Sequence, residues 1–398
     1  MTDDARFAGR LTGAIALGAM AFTLYGSLVP FDFHTRDADD ARTAFHWAMT
    51  NRWWFESRSD AVANVMLGVP LGFGLVGFLR AGRTGIAGDL FAGLFCLPMC
   101  VAFAAAVEFA QLYVPERTTA GSDVLCQGLG SIIGMAAWTV AGRWLVNQAE
   151  AVWSGSESAG RLLIAYLVLL AFVQLLPLDL SASPRDLYRK LRDDVVYVPF
   201  SETMSWERAA RLLQVIGLFL PAGLFARRAG RGLMIPLLLA VATEGLQLIV
   251  KSRVPSATDA VVGGFGVMLG WWLSHRSRTV FLNVMWLLAM LLISWQPFTI
   301  RTDSLPFDWM PGLPLERGHP LYALEEMLTK LILFGIGGAL MKSPPRAVLS
   351  GLVVSGVCEW GQTDLGSHTP CITDVLLGAA GMWIGALARR LIKQEWTS

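Results

Sequence analysis

A carboxylate, an amide, a cation and a second carboxylate recur in this chain at fixed intervals. Glu108, Gln111, Arg117 and Asp123 are followed by Gly130 and Gly134; the same spacing gives Glu244, Gln247, Arg253, Asp259, Gly266 and Gly270, and again Glu359, Gln362, His368, Asp374, Gly381 and Gly385. The pattern E-x2-Q-x5-[R/H]-x5-D-x6-G-x3-G thus runs three times without a gap, a self-similarity that marks a tandem repeat. Glu and Gln three residues apart share one helix face. Pro115, Pro255 and Pro370 place the basic residue in a turn, and the Asp opens the next helix, where the positive end of the dipole favours a carboxylate. The motif is therefore expected to converge on one spot, and the G-x3-G step to let helices approach closely and hold the two motif helices together.

Two kinds of chemistry fit such a set. In one, Arg or His meets an anionic headgroup while Glu, Gln and Asp bind hydroxyls or serve as acid and base. In the other, Glu and Gln are hydrogen-bond glue between helices and Arg with Asp closes the loop. The first copy adds Asp60 and Asn64, one helical turn apart, where the second copy has Arg211 and Val215 and the third Glu326 and Lys330. The expected ligand-binding set is accordingly Asp60, Asn64, Glu108, Gln111, Arg117 and Asp123, with Glu244, Gln247, Arg253, Asp259, Glu359, Gln362, His368 and Asp374 as repeat equivalents. No catalytic residue is assigned. The chain shows no nucleophile elbow, P-loop or metal triad, and no cofactor or metal is expected.

The elements that carry these residues are membrane helices. Of 398 residues, 54% are hydrophobic and 16% charged, against about 25% charged in an average soluble domain. Leu11 to Phe31, Ala61 to Leu79, Leu90 to Val107, Val124 to Gly142 and Leu162 to Leu178 hold no charge, and each approaches the roughly 20 residues that cross a bilayer core. The first is read as a retained helix, since no small-residue cleavage site precedes Pro30-Phe31-Asp32. Later stretches are interrupted by single acids such as Glu244 and Glu359. Each motif follows an apolar helix ending in proline (Pro30, Pro177, Pro297), a polar loop, and a Gly-bearing helix: Gly68-Val69-Pro70-Leu71-Gly72, Phe219-Leu220-Pro221-Ala222-Gly223 and Phe334-Gly335-Ile336-Gly337-Gly338. The expected fold is all-α integral membrane, about 12 spans as three parallel four-helix repeats over residues 1–150, 151–278 and 279–398.

Short basic turns, with Arg80 and Arg83, Arg143, Arg227 and Arg228, and Lys342 and Arg346, belong on the cytoplasmic side with both termini. The motifs then face outward from a bacterial cytoplasmic membrane. A net charge of +1 gives no nucleic-acid surface; the expected partners are membrane lipids and a lipid-linked saccharide or glycopeptide. The five cysteines lack ligand spacing and read as buried thiols.

Asp60-Ala-Val-Ala-Asn64, Pro70-Leu71-Gly72-Phe73, Glu108-x2-Gln111, Arg117, Asp123 and Gly130 to Gly134 together resemble the VanZ-like family. The resemblance is closest over residues 11–146, weaker over 161–275 and weakest over 279–391, where the Asp-Asn pair is missing and His368 replaces Arg. It implies a small membrane protein of cell-envelope or surface-polysaccharide biology, from a family associated with glycopeptide (teicoplanin) resistance. It fixes no mechanism: a transferase or hydrolase acting on a lipid-linked glycan, or a transporter, fits the same residues.

Overall fold

The structure, a computed structural model, describes residues 3–29, 31–53, 58–115, 117–154, 158–179, 183–274, 279–312, 320–365 and 369–394. Their regular structure is helical, with only isolated β-bridges such as Val196–Ser256 and Asp308–Cys371 beside it. The chain divides into two compact bodies, residues 1–151 with 312–320, and 152–311 with 321–398.

The first body holds α1 (Asp3–Leu28), α2 (Ala38–Asn51), α3 (Arg58–Leu79), α4 (Ile86–Gln111), α5 (Gly121–Ala137) and α6 (Arg143–Trp153). A π-helical turn over Trp138–Gly142 joins the last two. The second holds α7 (Ser158–Leu175), α8 (Pro184–Arg189), α9 (Trp206–Arg228), α10 (Met234–Gln247), α11 (Ala257–Leu273), α12 (Thr279–Trp295), α13 (Pro320–Leu340), α14 (Pro344–Gly361) and α15 (Ile372–Gln394).

Seven described helices are long and apolar enough to cross a bilayer: α1, α3, α4, α5 running on into α6, α7, α9 and α15. α10, α11 and most of α12 are apolar but shorter. At about 1.5 Å per residue, a 14-residue helix such as α10 reaches only ~21 Å; it ends on the same motif as the 26-residue α4 but begins later. α13 carries Glu325, Glu326 and Lys330. This is an all-α, multi-pass membrane protein. The segments read as one polar loop between the first two spans contain helices of their own, α2 and α8.

In a bilayer there is no hydrophobic gain from bringing helices together, so close backbone packing must do it. The glycines supply it, and the partner differs from the one expected. A Cβ on Gly130 or Gly134 of α5 would run into the Val65 or Val69 carbonyl of α3, and one on Gly72 of α3 into the Ser131 carbonyl of α5. The seam thus joins the second and fourth helices, not the two motif helices, since glycines on both sides let backbone meet backbone. The same contacts recur between α9 and α11 (Gly223 on Val267, Gly266 on Ile216, Gly270 on Leu220) and between α13 and α15 (Gly338 on Met382, Gly381 on Leu331, Gly385 on Gly335). The π turn tucks Trp138 into the first body's core, edge-on to Phe73 and beside Leu71, Val76 and Cys96.

Candidate functional site

The motif divides between two places. One half ties the helix it ends to the helix that follows. Glu108 lies buried at the end of α4, and its Oε2 accepts the Ala120 N–H at 3.0 Å. Glu244 Oε2 takes the Ser256 N–H at 2.8 Å and Glu359 Oε2 the Cys371 N–H at 3.1 Å. Ala120, Ser256 and Cys371 directly precede α5, α11 and α15. In a capping box the acid at the third helical position reaches back to this N–H. Here an acid from the preceding helix does so, and the residue at the third position, Asp123, Asp259 or Asp374, is released for other work. Thr119 reinforces the joint in the first body by donating its hydroxyl to the Glu108 carbonyl at 3.0 Å.

In the first two occurrences the other half grips the end of the apolar helix that opens the unit, α1 or α7. Phe31, Leu178 and Phe298 follow the helix-ending prolines with φ of 64°, 61° and 63°, a left-handed conformation that side chains with a Cβ rarely adopt. Each closes its turn through an N–H to the carbonyl three residues back, Leu28, Leu175 or Trp295. Arg117 clamps the first such turn, with Nε and Nη2 on the Val29 carbonyl at 3.1 and 2.9 Å and Nη2 on Gly26 at 3.0 Å. Arg253 Nε holds Leu176 at 2.8 Å. Gln111 and Gln247 donate to the Ser27 and Gln174 carbonyls, each at 3.2 Å. Guanidinium and amide therefore satisfy carbonyls that a helix end leaves open. His368 lies outside the described residues.

Where the aspartates go distinguishes the three occurrences. Arg211 of α9 meets the buried Asp259 carboxylate through Nε and Nη2 at 3.1 and 2.9 Å. Lys330 of α13 contacts Asp374 and lies 3.2 Å from Glu326. Arg253 also pairs with Glu325, so this motif arginine is engaged within the second body. In the first occurrence the matching positions on α3 are Asp60 and Asn64. Asn64 Oδ1 accepts from Gln127 Nε2 of α5 at 3.1 Å. On α3 the first body thus carries an acid and an amide at the positions where α9 and α13 carry Arg211 and Lys330.

The segments that precede α3, α9 and α13 strap down the same helix starts. Ser122 donates its backbone N–H to the Arg52 carbonyl at 3.2 Å, Ala257 to Val196 at 2.9 Å and Ile372 to Asp308 at 2.8 Å. Trp47 stands on α2 with the Arg52 guanidinium over its ring; residues 54–57 lie outside the described set.

Two features escape the repeat pattern. Asp89 is buried in the first turn of α4 between Arg80, 3.0 Å away, and Arg143. An acid just before an uncharged stretch and nine residues past an arginine was the available signal. Lys190, 6% exposed, donates to the Gln247 carbonyl at 2.8 Å and to that of Val250.

Glu359, Cys371 and Asp374 present ligand atoms within 4.8 Å of one another. The Lys330 ammonium already sits on Asp374, and burial, with Asp374 adding to it, pushes the Cys371 thiol up to about 12. Of that trio, Asp374 is engaged by an ammonium and Glu359 by a backbone N–H. All five cysteines are buried and unbridged.

No curated protein and no solved structure matches this chain. A family model, VanZ/LLP1, matches it twice, over residues 13–142 and 163–278. Each match spans a Gly-bearing helix, its Glu-x2-Gln partner and the Asp-led helix packed on it, and together they take in more than half of the sequence: the chain belongs to the VanZ/LLP1 family.

Proposed function

We propose that this protein works in the bacterial cell envelope, in a cytoplasmic membrane with both termini in the cytoplasm, and binds the headgroup of a lipid-linked saccharide at the outer ends of α3, α4 and α5. The observation that carries this reading is the exchange at one pair of positions. Where Arg211 and Lys330 put a cation against the motif aspartate, the first body has Asp60 and Asn64. Carboxylates and an amide oxygen accept hydrogen bonds, so this place suits sugar hydroxyls and amines. In this division of labour Glu108 and Gln111 hold the frame, while Asp60, Asn64 and Asp123 meet the ligand. Arg117 clamps the α1 end through Nε and Nη2, and its Nη1 edge is the place for a phosphate. A glycopeptide is read by the same acceptors.

The test is retention of lipid. Native mass spectrometry of the purified protein is expected to show a co-purifying prenyl-phosphate saccharide, lost in Asp60→Asn, which keeps the Asn64–Gln127 bond, with the unfolding midpoint unchanged. Equal retention in wild type and variant overturns the assignment.

A further inference from the structure

A cavity of about 80 Å³ lies within the second body, among α9, α12, α13, α14 and α15, with apolar walls from residues such as Met290, Ile293 and Leu333 around a polar cluster. Its wall includes Glu326, Lys330, Glu359, Gln362 and Asp374. Setting aside Glu326, whose side chain is 57% exposed, the two inward carboxylates Glu359 and Asp374 face the one ammonium of Lys330. Lys330 is shared between Asp374 and Glu326, and the hydrogen bond on Glu359 comes from the Cys371 backbone. Gln362 is 3% exposed and its Oε1 is buried with no hydrogen-bond partner. A buried acceptor left unmatched costs about 1–3 kcal/mol, and an excess of negative charge at membrane depth is costly as well. One species answers both: a monovalent cation that donates hydrogen bonds.

We infer that this cavity binds a primary ammonium group, held by Gln362 Oε1 and the Glu359 carboxylate. Its size agrees. A void of roughly 10–15 Å³ takes one water and one of roughly 150 Å³ takes benzene, so about 80 Å³ admits an ammonium on a short stem. Water would satisfy Gln362 without supplying charge. A divalent metal would have to strip Lys330 from Asp374, whereas an ammonium group leaves that pair in place. Nothing like this follows from the sequence, where the third occurrence departs furthest from the family pattern.

The test compares unfolding midpoints of the full chain in neutral micelles with ammonium, methylammonium, tetramethylammonium and sodium chlorides at matched ionic strength. The first two are expected to raise the midpoint. Sodium has no N–H to give and tetramethylammonium none either, so both leave it in place. Gln362→Leu removes the response, and Gln362→Glu, which keeps the acceptor and adds charge, binds methylammonium about tenfold tighter. Native mass spectra with phosphatidylethanolamine or phosphatidylcholine added separate the sources: selective retention of the former names a lipid headgroup, and a response to free amines alone names a soluble one. An equal response to tetramethylammonium, or one that survives in Gln362→Leu and is unchanged in Gln362→Glu, overturns the inference.

Discussion

Replacing Gly134 by alanine inverts the usual sign of that substitution. In a helix interior, glycine to alanine ordinarily stabilises by about 0.5–1 kcal/mol, because the unfolded chain loses freedom. At Gly134 the added methyl would stand 2.8 Å from the Phe73 nitrogen and 2.9 Å from the Val69 carbonyl carbon, and would overlap the Val69 oxygen outright. Ordinary contact begins near 3.4 Å, so α3 and α5 must part by 0.6 Å to clear the nitrogen alone. Every atom in the way is backbone and cannot turn aside. Overpacking of this kind costs about 1–3 kcal/mol, which set against the entropic gain leaves a net loss of about 0–2.5 kcal/mol, toward the upper end because the overlap is with backbone. Gly18 of α1 is the control, since a Cβ there meets nothing within 4 Å. Equilibrium unfolding of both variants in bicelles by titrated denaturing detergent measures the difference. Gly18→Ala should raise the midpoint or leave it in place and Gly134→Ala should lower it; shifts of the same sign and size would refute the seam as the source of helix association.

Asp89→Asn leaves Arg80 and Arg143 without their buried partner, and loss of one member of such a network costs about 3–5 kcal/mol, read as a collapse of the unfolding midpoint that Arg83→Ala does not reproduce. Glu108→Leu strands the Ala120 N–H at about 1–3 kcal/mol, whereas Glu108→Gln keeps an acceptor there and should retain most of the stability; equal losses would deny the carboxylate its capping role. Burial holds the Lys190 ammonium below its ordinary 10.5, against the pull of Asp179 and Asp194. Between that lowered value and 10.5 the unfolded chain binds more protons than the folded one, so stability should rise with pH across this alkaline window. Lys190→Met should flatten the rise, which unfolding midpoints taken as a pH series will show.

Much of this architecture is legible in the residues, and the reasons are particular. Glycine four residues from glycine announces close helix contact, and the motif acids sit at helix ends where their spacing puts them. The partner of the glycines was not legible from the motif alone, because G-x3-G marks a surface without saying what lies on it; Gly68 and Gly72 on α3 were the complementary half. The use of Arg117 and Gln111 was hidden for a similar reason. Their targets are main-chain carbonyls at Gly26, Ser27 and Val29, and a carbonyl has no letter of its own in a sequence. Asp89 shows the opposite failure: its letter was visible, but its partners Arg80 and Arg143 read only as members of basic turns, whereas Arg143 stands on α6, in a helix that runs on from α5.

The borrowed cap bears on how such a chain can grow or shrink. Because the acid that finishes α5, α11 or α15 stands on the helix before it, and the glycine seam on the helix before that, no one of these helices carries its own completion. A gene fragment that ends between Gln111 and Gly121 would leave Glu108 facing nothing, and a copy that began at Gly121 would lack both its acid and its seam. Whole sets of helices, inserted together, are the smallest increments that this design tolerates, so a ribosome that pauses before α5 hands the membrane an unfinished object.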